Sequence, residues 1–428
     1  MHHFSYRNGE MFAEDVTCAS IAEAVGTPVY VYSEATLRRH ARVFQDAFAG
    51  LDALAAFSVK ANSNLSVLRV LASEGMGADV VSGGELKRAR AAGIPGSRIV
   101  FSGVGKTDAE LQFALEQDVS QFNVESENEA AALSRVAVSL GRRAPVAFRV
   151  NPDVAAGGHA KISTGKAEDK FGIAWSSARS AYARAASLDG IDIVGVDVHI
   201  GSQITELAPF ERAFRKVAGL VGDLRTDGHT IERIDLGGGL GISYDGRSEG
   251  EGTPPGPGDY AALIRAIAEP LNVRLIFEPG RMIAGNAGIL LTRAIYVKQG
   301  EERTFLIVDA AMNDLIRPAL YDAFHDIKPV RAPSPEARYG QYDVVGPVCE
   351  TSDRFAKARE LPEMAEGDLF ALMSAGAYGA VQASQYNTRP LAPEVLVSGG
   401  AFHVVRRRPT FEEMIALESA PPWSATSG

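Results

Sequence analysis

The stretch FSVKAN at 57–62 closes a short apolar run, LAAFSV, with a lysine. Lysine is rarely buried without a partner. Lys60 therefore either points into water or serves as an amine nucleophile in a pocket. Three further segments carry comparable chemistry: HIGSQ at 199–203 has an imidazole and a hydroxyl, GGGLG at 237–241 has amides that no Cβ shields, and EPGR at 278–281 joins a carboxylate to a guanidinium. Amides of a glycine turn can cradle an anion, a lysine can hold an aldehyde as a Schiff base, and a carboxylate can keep a ring nitrogen protonated. Each piece alone has a plainer reading as a turn, a packed histidine or a salt-bridged arginine.

Those residues need a scaffold that brings them together. Between residues 54 and 280 the chain offers LAAFSVK, GADVVS, RIVFSG, QFNVES, VAFRVN, IVGVDVHIG, RIDLGGG and RLIFEPG, with helix-type segments such as NLSVLRVLASEG and SENEAAALSRVAVSLG between them. Continuous apolar strands alternating with helices predict a parallel sheet, and eight such units predict a (β/α)8 barrel of the TIM type. Reactive groups of that fold gather at the C-terminal strand ends. Here those ends hold Lys60, Ser82, Asn123, Glu125, Arg149, Asn151, His199, Gly237 to Gly239, Glu278 and Arg281. A lysine, an anion cradle and a carboxylate at one mouth suggest pyridoxal 5′-phosphate. Lys60 would hold its aldehyde, His199 would lie against its ring, Gly238 and Gly239 would approach its phosphate, and Glu278 would meet its nitrogen.

The rest of the chain limits the setting. Its 428 residues imply two or three domains. A composition 46% hydrophobic and 22% charged is that of a globular protein with a sizeable core. The net charge of −10 argues against nucleic acid or an anionic membrane as partner. Two cysteines, Cys18 and Cys349, suit a reducing compartment. No run approaches the ~18 apolar residues of a membrane span, and MHHFSYRNGEMFAEDV has no signal-type apolar core, so a cytoplasmic protein is expected. Beyond residue 285, segments such as RTFLIVDA, YDVVGPVCE and EVLVSGGAFHVVRR are β-rich, as are EMFAEDV and TPVYVYS near the start. The expected organisation is a barrel over 36–284 and a β-rich, antiparallel barrel- or sandwich-like domain built from 1–35 and 285–428. The polar, glycine-rich stretches 152–170 and 245–258 are long for connections, which makes them lids or excursions.

FSVKAN, HIGSQ, GGGLG and EPGR, in that order, resemble the alanine-racemase-type (fold type III) decarboxylases that use pyridoxal phosphate. More narrowly, HAKISTGKAEDKFGI, MNDLIRPALYDAFH, CETSD and GAYGAVQASQYN resemble the diaminopimelate decarboxylases, from about residue 4 to residue 408. The resemblance implies a carboxy-lyase that converts meso-2,6-diaminopimelate to L-lysine and carbon dioxide, the last step of lysine biosynthesis. It implies Lys60 as the Schiff-base lysine and His199 as the ring-stacking residue. Ser202, Gly239 and the backbone of Gly280 and Arg281 would contact phosphate, and Glu278 would meet the pyridine nitrogen. Arg281, Arg317 and Tyr321 would hold the distal carboxylate, Glu350 the distal ammonium, and Tyr378 both phosphate and substrate. Cys349 would donate the proton, entering with Glu350 from the second subunit of a homodimer. No metal is implied. Three positions depart from the family pattern: Ser352 stands where glycine is usual, Leu391 where a second arginine is frequent, and Ser58 gives FSVKAN in place of YAVKAN. Alternative readings keep the fold and change the outcome: a decarboxylase of ornithine, arginine or carboxynorspermidine, or a pyridoxal-binding protein without catalysis.

Overall fold

The computed structural model of the chain describes residues 2–155, 170–246, 253–421 and 423. Most of the 152–170 stretch, with residues 159–169 of the HAKISTGKAEDKFGI motif, and residues 247–252 of the second long stretch lie outside the described residues. The chain divides into two compact units, one built on Glu34–Ala287 and the other on His3–Ser33 with Gly288–Gly428.

The first unit contains the eight expected strands: β1 (Ala53–Ser58), β2 (Gly77–Val80), β3 (Ile99–Phe101), β4 (Gln121–Val124), β5 (Ala144–Asn151), β6 (Ile191–Asp197), β7 (Arg233–Asp235) and β8 (Arg274–Phe277). Each pairs in parallel with the next and β8 pairs with β1, so the sheet closes into a barrel. Leu54 and Ala56 of β1, Val100 of β3 and Ile276 of β8 fill the interior, none more than 1% exposed. Side chains alternate across a strand, so Phe277, next to Ile276, faces the helices. Its ring centroid lies 4.1 Å from that of Phe48 and 6.1 Å from that of Tyr260.

Three crossover helices begin with the same local device. The hydroxyls of Ser82, Thr107 and Ser126 accept from the N–H groups of Glu85, Glu110 and Glu129 at 3.2, 3.3 and 3.1 Å. Those glutamates reach back to the N–H groups of Val81, Thr107 and Glu125. Ser/Thr-x-x-Glu at each strand-to-helix turn satisfies amides that the helix start leaves open. Ser82, named above as a strand-end candidate, is thereby a helix cap. Lys106 ties the β3 loop to β4: only 1% exposed, it donates to the carbonyls of Gly103 and Asn123 at 2.8 Å each and pairs with Glu129 at 2.6 Å.

In the second unit Phe4–Arg7, Glu10–Ala13 and Val16–Thr17 form a small meander. A larger sheet runs Arg354–Pro362, Tyr339–Val345, Thr304–Val308, Gly288–Gln299, Val29–Ser33, Glu394–Ser398 and Ala401–Arg406. Val29–Ser33 lies between Gly288–Gln299, antiparallel, and Glu394–Ser398, parallel. The N-terminal segment thus supplies an inner strand to a sheet completed by residues more than 250 positions later. Helix Cys18–Val25, which the β-rich reading did not anticipate, packs Cys18 and Ile21 with Val29, Val31, Ile289 and Leu291 in one core. Burial pushes the Cys18 thiol up to about 12, which makes it inert. Among the described residues no helix is long and apolar enough to cross a membrane.

Lys106→Met would leave Glu129, whose carboxyl burial already pushes up, without its cation. A loss of about 3–5 kcal/mol is expected, measured as a lower denaturation midpoint by circular dichroism. Arg215→Ala, which breaks an exposed i,i+4 pair with Glu211, should change it by less than about 1 kcal/mol.

Candidate active site

β1 ends in one 3-10 turn, Val59–Ala61, and this turn carries Lys60. The Lys60 side chain is 35% exposed, and Nζ donates to Asp79 Oδ2 at 2.8 Å, while Asp79 itself is 0% exposed. The lysine at the end of the apolar run is thus neither free in water nor buried alone: a carboxylate on β2 anchors it at the barrel mouth. Ser58 Oγ lies 2.8 Å from the same Asp79 oxygen and 3.0 Å from the Glu278 carbonyl oxygen, and its single proton serves one of them at a time.

Beneath Lys60 the barrel gathers acids. Oxygens of Asp197 (β6), Asp235 (β7) and Glu278 (just beyond β8) lie within 4.8 Å of one another, all buried. Asn123 of β4 is the hub, donating from Nδ2 to Asp235 Oδ2 at 2.9 Å and to Glu278 Oε1 at 3.2 Å, with its own Oδ1 fixed by Gln121 at 2.8 Å. Ser102 Oγ adds a bond to Glu278 Oε1 at 3.0 Å, and the Gly237 N–H donates to Asp235 Oδ1 at 3.0 Å. Burial first, then Asp79 and Asp235, hold the Glu278 carboxyl well above its usual range, against the pull of Lys60. Asp197 is raised by burial and by Asp235, and Asp235 is raised to about 6, chiefly by burial. Such acids share protons at neutral pH. With protein donors on Glu278 and Asp235, the group reads as a hydrogen-bonded acid cluster and not as a cation cage.

The glycine turn follows β7. Gly237 and Gly239 sit at φ +62° and +109°. A Cβ on Gly238 would meet the Glu278 carbonyl oxygen at 2.3 Å, and one on Gly239 would meet the Gly201 carbonyl oxygen at 2.4 Å. Only glycine lets three loops approach this closely. The Gly238 N–H donates to His199 Nδ1 at 3.1 Å, which makes Nδ1 an acceptor. Burial, with the charges of Arg149 and Lys60, lowers His199 well below its ordinary pKa, so the ring is neutral. Arg281, 7% exposed, donates from Nη2 to Ser202 Oγ at 2.9 Å and from Nη1 to the Tyr244 hydroxyl. Gly280 precedes the short helix Arg281–Ala284. Lys60 and Glu278, His199 with Gly238, and Ser202 with Arg281 thus form separate hydrogen-bonded groups on the loops at the C-terminal strand ends, with Gly239 and Gly280 in the same loops. Arg149, by contrast, pairs with Glu125 at 3.0 Å, and Asn151 Oδ1 holds the Asp153 N–H at 2.9 Å. Those two strand-end candidates are structural.

Cys349, Glu350, Arg317, Tyr321 and Tyr378 belong to the second unit. Cys349 and Glu350 are exposed on the turn between Tyr339–Val345 and Arg354–Pro362. Asn387 Oδ1 accepts the Cys349 N–H at 3.0 Å, and the Tyr386 hydroxyl donates to Glu350 Oε1 at 2.7 Å. Ser352 Oγ lies 3.3 Å from Glu350 Oε2, so this departure from the family pattern adds a contact to that carboxylate. Asn387 and Thr388 have φ of 56° and 54°, a backbone that non-glycine residues adopt at a cost. Arg317 opens helix Arg317–Tyr321 and is buried; the Tyr321 hydroxyl accepts from Gln382 Nε2 at 3.4 Å. Tyr378 and Leu391 are half-buried, Tyr378 at φ 55°. The sequence reading missed Asp79, Asp197 and Asp235, although an acid inside each apolar run GADVV, VGVDV and RIDL was the available signal. It also missed Tyr386, Asn387 and His325, whose partners are separated along the chain and leave no local pattern.

The site fits pyridoxal phosphate on its own terms. It offers an anchored amine, a backbone cradle that any Cβ would fill, and a buried acid cluster that a cationic ring nitrogen would relieve. The family model described as the pyridoxal-dependent decarboxylase, pyridoxal binding domain, matches residues 34–285. A diaminopimelate decarboxylase from Pseudomonas aeruginosa is 55% identical over 422 residues, 99% of this chain and 100% of that one. Among solved structures, diaminopimelate decarboxylase from Helicobacter pylori complexed with L-lysine is 39% identical with a TM-score of 0.88, covering 93% of this chain and 98% of that one. The enzyme from M. jannaschii in co-complex with L-lysine is 36% identical with a TM-score of 0.92, covering 99% and 100%.

Glu85 gives the electrostatics a test. Burial, helped by Asp79, pushes its carboxyl from 4.5 up to about 7, although the Val81 N–H and Lys60 pull it down. A raised carboxyl contributes fully below the ordinary value and loses that contribution as pH rises toward the folded value. Glu85→Gln is therefore expected to melt a few degrees above the parent beyond about pH 7, with no advantage near pH 4.5. Melting curves across that range decide it; an advantage confined to acid would contradict the assignment.

Proposed function

The chain belongs to the pyridoxal-dependent decarboxylases, and on that premise we propose that it is a carboxy-lyase acting on meso-2,6-diaminopimelate, releasing carbon dioxide and leaving L-lysine in the last step of lysine biosynthesis. The observation that carries this reading is Lys60 held by buried Asp79 at a barrel mouth that also contains the glycine cradle and Glu278. When bound, pyridoxal phosphate supplies the electron sink that accepts the pair released with carbon dioxide.

The chain's own residues then divide the work. Lys60 offers the amine for the cofactor aldehyde, and Asp79 orients that amine. Ser202, the Gly239 N–H and the backbone of Gly280 and Arg281 supply donors for phosphate, with Tyr378, while Gly238, whose own N–H is taken by His199, lets the phosphate come close because it has no Cβ. His199, neutral because its Nδ1 already accepts from Gly238, presents a flat uncharged face to a ring. Glu278 would face the pyridine nitrogen and favour its protonated form, a preference the neighbouring acids would share. Arginine suits a carboxylate, so Arg281 and Arg317, with Tyr321, hold the distal carboxylate, and Glu350 meets the distal ammonium. Cys349 delivers the proton that replaces carbon dioxide. Cys349 and Glu350 are exposed in this chain, which supports a homodimer in which each subunit lends them to the other's site. Two free cysteines, one buried and one exposed, support a cytoplasmic setting.

Borohydride reduction followed by peptide mapping is expected to leave the pyridoxyl label on Lys60, and Lys60→Ala should release no carbon dioxide from meso-diaminopimelate. Label elsewhere, or none, would overturn the cofactor assignment. Cys349→Ala should lower kcat by ~10²–10⁴, as expected for losing a positioned proton donor. Mixing the two inactive variants should restore about a quarter of parental activity if each site draws on both subunits of a two-fold dimer, and none if each site is built from one chain.

A further inference from the structure

A second histidine is fixed as firmly as His199, and on the other unit. His325 is 1% exposed, and its ring lies between two partners of opposite kind. Arg317 Nη1 is 2.8 Å from His325 Nε2, and His325 Nδ1 is 2.8 Å from the Met373 carbonyl oxygen. A guanidinium only donates and a carbonyl oxygen only accepts. Nδ1 therefore carries the proton and Nε2 presents its lone pair to Arg317. The ring is neutral, with its tautomer dictated by both neighbours.

The surrounding chain holds this arrangement in place. Helix Arg317–Tyr321 is stopped by Asp322 in the left-handed region at φ 50° and ψ 30°, which returns the chain to His325 eight residues after Arg317. Arg359 Nη1 donates to the His325 carbonyl at 3.1 Å, and the Met373 N–H donates to the Asp326 carbonyl at 2.8 Å. Ile327 then pairs with Leu372 in the sheet. Both ends of the Met373–His325–Arg317 relay are thus tied to regular structure. A carboxylate in place of His325 would fix the guanidinium but cancel its charge. The His325 imidazole orients Nη1 without itself bringing a negative charge to the guanidinium.

We propose that His325 is a positioning residue for substrate selection: its neutral imidazole orients Arg317 so that the guanidinium meets the carboxylate at the non-reacting end of the substrate. This rests on the reading that Arg317 binds that carboxylate.

Two substitutions separate the ring's two bonds. His325→Asn keeps an N–H near the Nδ1 position for Met373 but cannot reach Arg317. His325→Gln restores an acceptor at the distance of Nε2. With the cofactor-loaded enzyme, inhibition constants are measured for L-lysine, which has the distal carboxylate, and for 1,5-diaminopentane, which lacks it. H325N is expected to weaken L-lysine and raise KM for meso-diaminopimelate about tenfold, the scale of one hydrogen bond to a charged group. Its kcat and its affinity for diaminopentane should stay within about twofold of the parent. H325Q should recover most of the loss. Equal weakening of both inhibitors in H325N, or none in either, overturns the proposal, since a general packing defect does not distinguish a carboxylate. Arg317→Ala is the reference: if it too fails to separate the two inhibitors, the assignment of Arg317 itself is wrong. If Arg317→Ala separates them and H325N does not, only the role of His325 falls.

Discussion

Negative charge in a place without room for water is the constraint that organises the barrel. Asp79, Asp197, Asp235 and Glu278 are each no more than 4% exposed. At the 4.8 Å that bounds Asp197, Asp235 and Glu278, two unit charges repel by about 3–4 kcal/mol at an effective dielectric of about 20. That is more than two pKa units per pair, so full ionisation is excluded. The fold answers with protons on some acids, the Lys60 ammonium on Asp79, and the amide of Asn123 shared between Asp235 and Glu278. A protonated pyridine nitrogen in the place proposed for it, beside Glu278, would be a cation such a cluster favours. The buried acids thus explain why a lysine can end an apolar strand, and they fit the role proposed for Glu278 toward a positively charged ring.

The same crowding fixes what surrounds the acids. Glycine at 238 is required because the Glu278 backbone passes where a Cβ would stand. That close approach presents the Gly238 N–H to His199, which leaves the imidazole an acceptor and, with Arg149 and Lys60 nearby, uncharged. A charged ring here would add a third cation to that face. Cradle and imidazole are therefore two consequences of one packing arrangement.

Legibility in the sequence followed locality. The eight barrel strands are short apolar runs alternating with helix-type segments, a pattern contained within a few residues, so the barrel could be read directly. The strand ends named Lys60, His199, Gly238 and Glu278, because the fold itself says where such ends converge. Helix Cys18–Val25 was missed: eight residues between short strands give too little periodicity to separate from a β-rich background. Asp79, Asp197 and Asp235 were passed over because an acid in an apolar strand looks like an interruption until its partners from other strands are known. Ser82, Arg149 and Asn151 stood at the right depth but are committed to a helix start, an ion pair and a turn. His325, Tyr386 and Asn387 carry no local signal, since each acts on a residue 8 to 38 positions away.

How a charge is held differs between the barrel wall and the residues proposed for recognition. Arg149 is held by the Glu125 carboxylate, and Lys106 by Glu129, so each cation is neutralised where it stands and serves the barrel wall. Arg317 is oriented by an imidazole, and Glu350 by the Tyr386 hydroxyl with Ser352 nearby. A neutral donor or acceptor sets direction without itself adding an opposite charge, which suits the ion-binding roles proposed for Arg317 and Glu350. A substrate with an amino acid group at both ends can be sorted only by its non-reacting end. In the roles proposed for Arg317 and Glu350, a guanidinium and a carboxylate fixed in this way would meet that demand at little cost in flexibility, because the side chains are ordered before the ligand arrives.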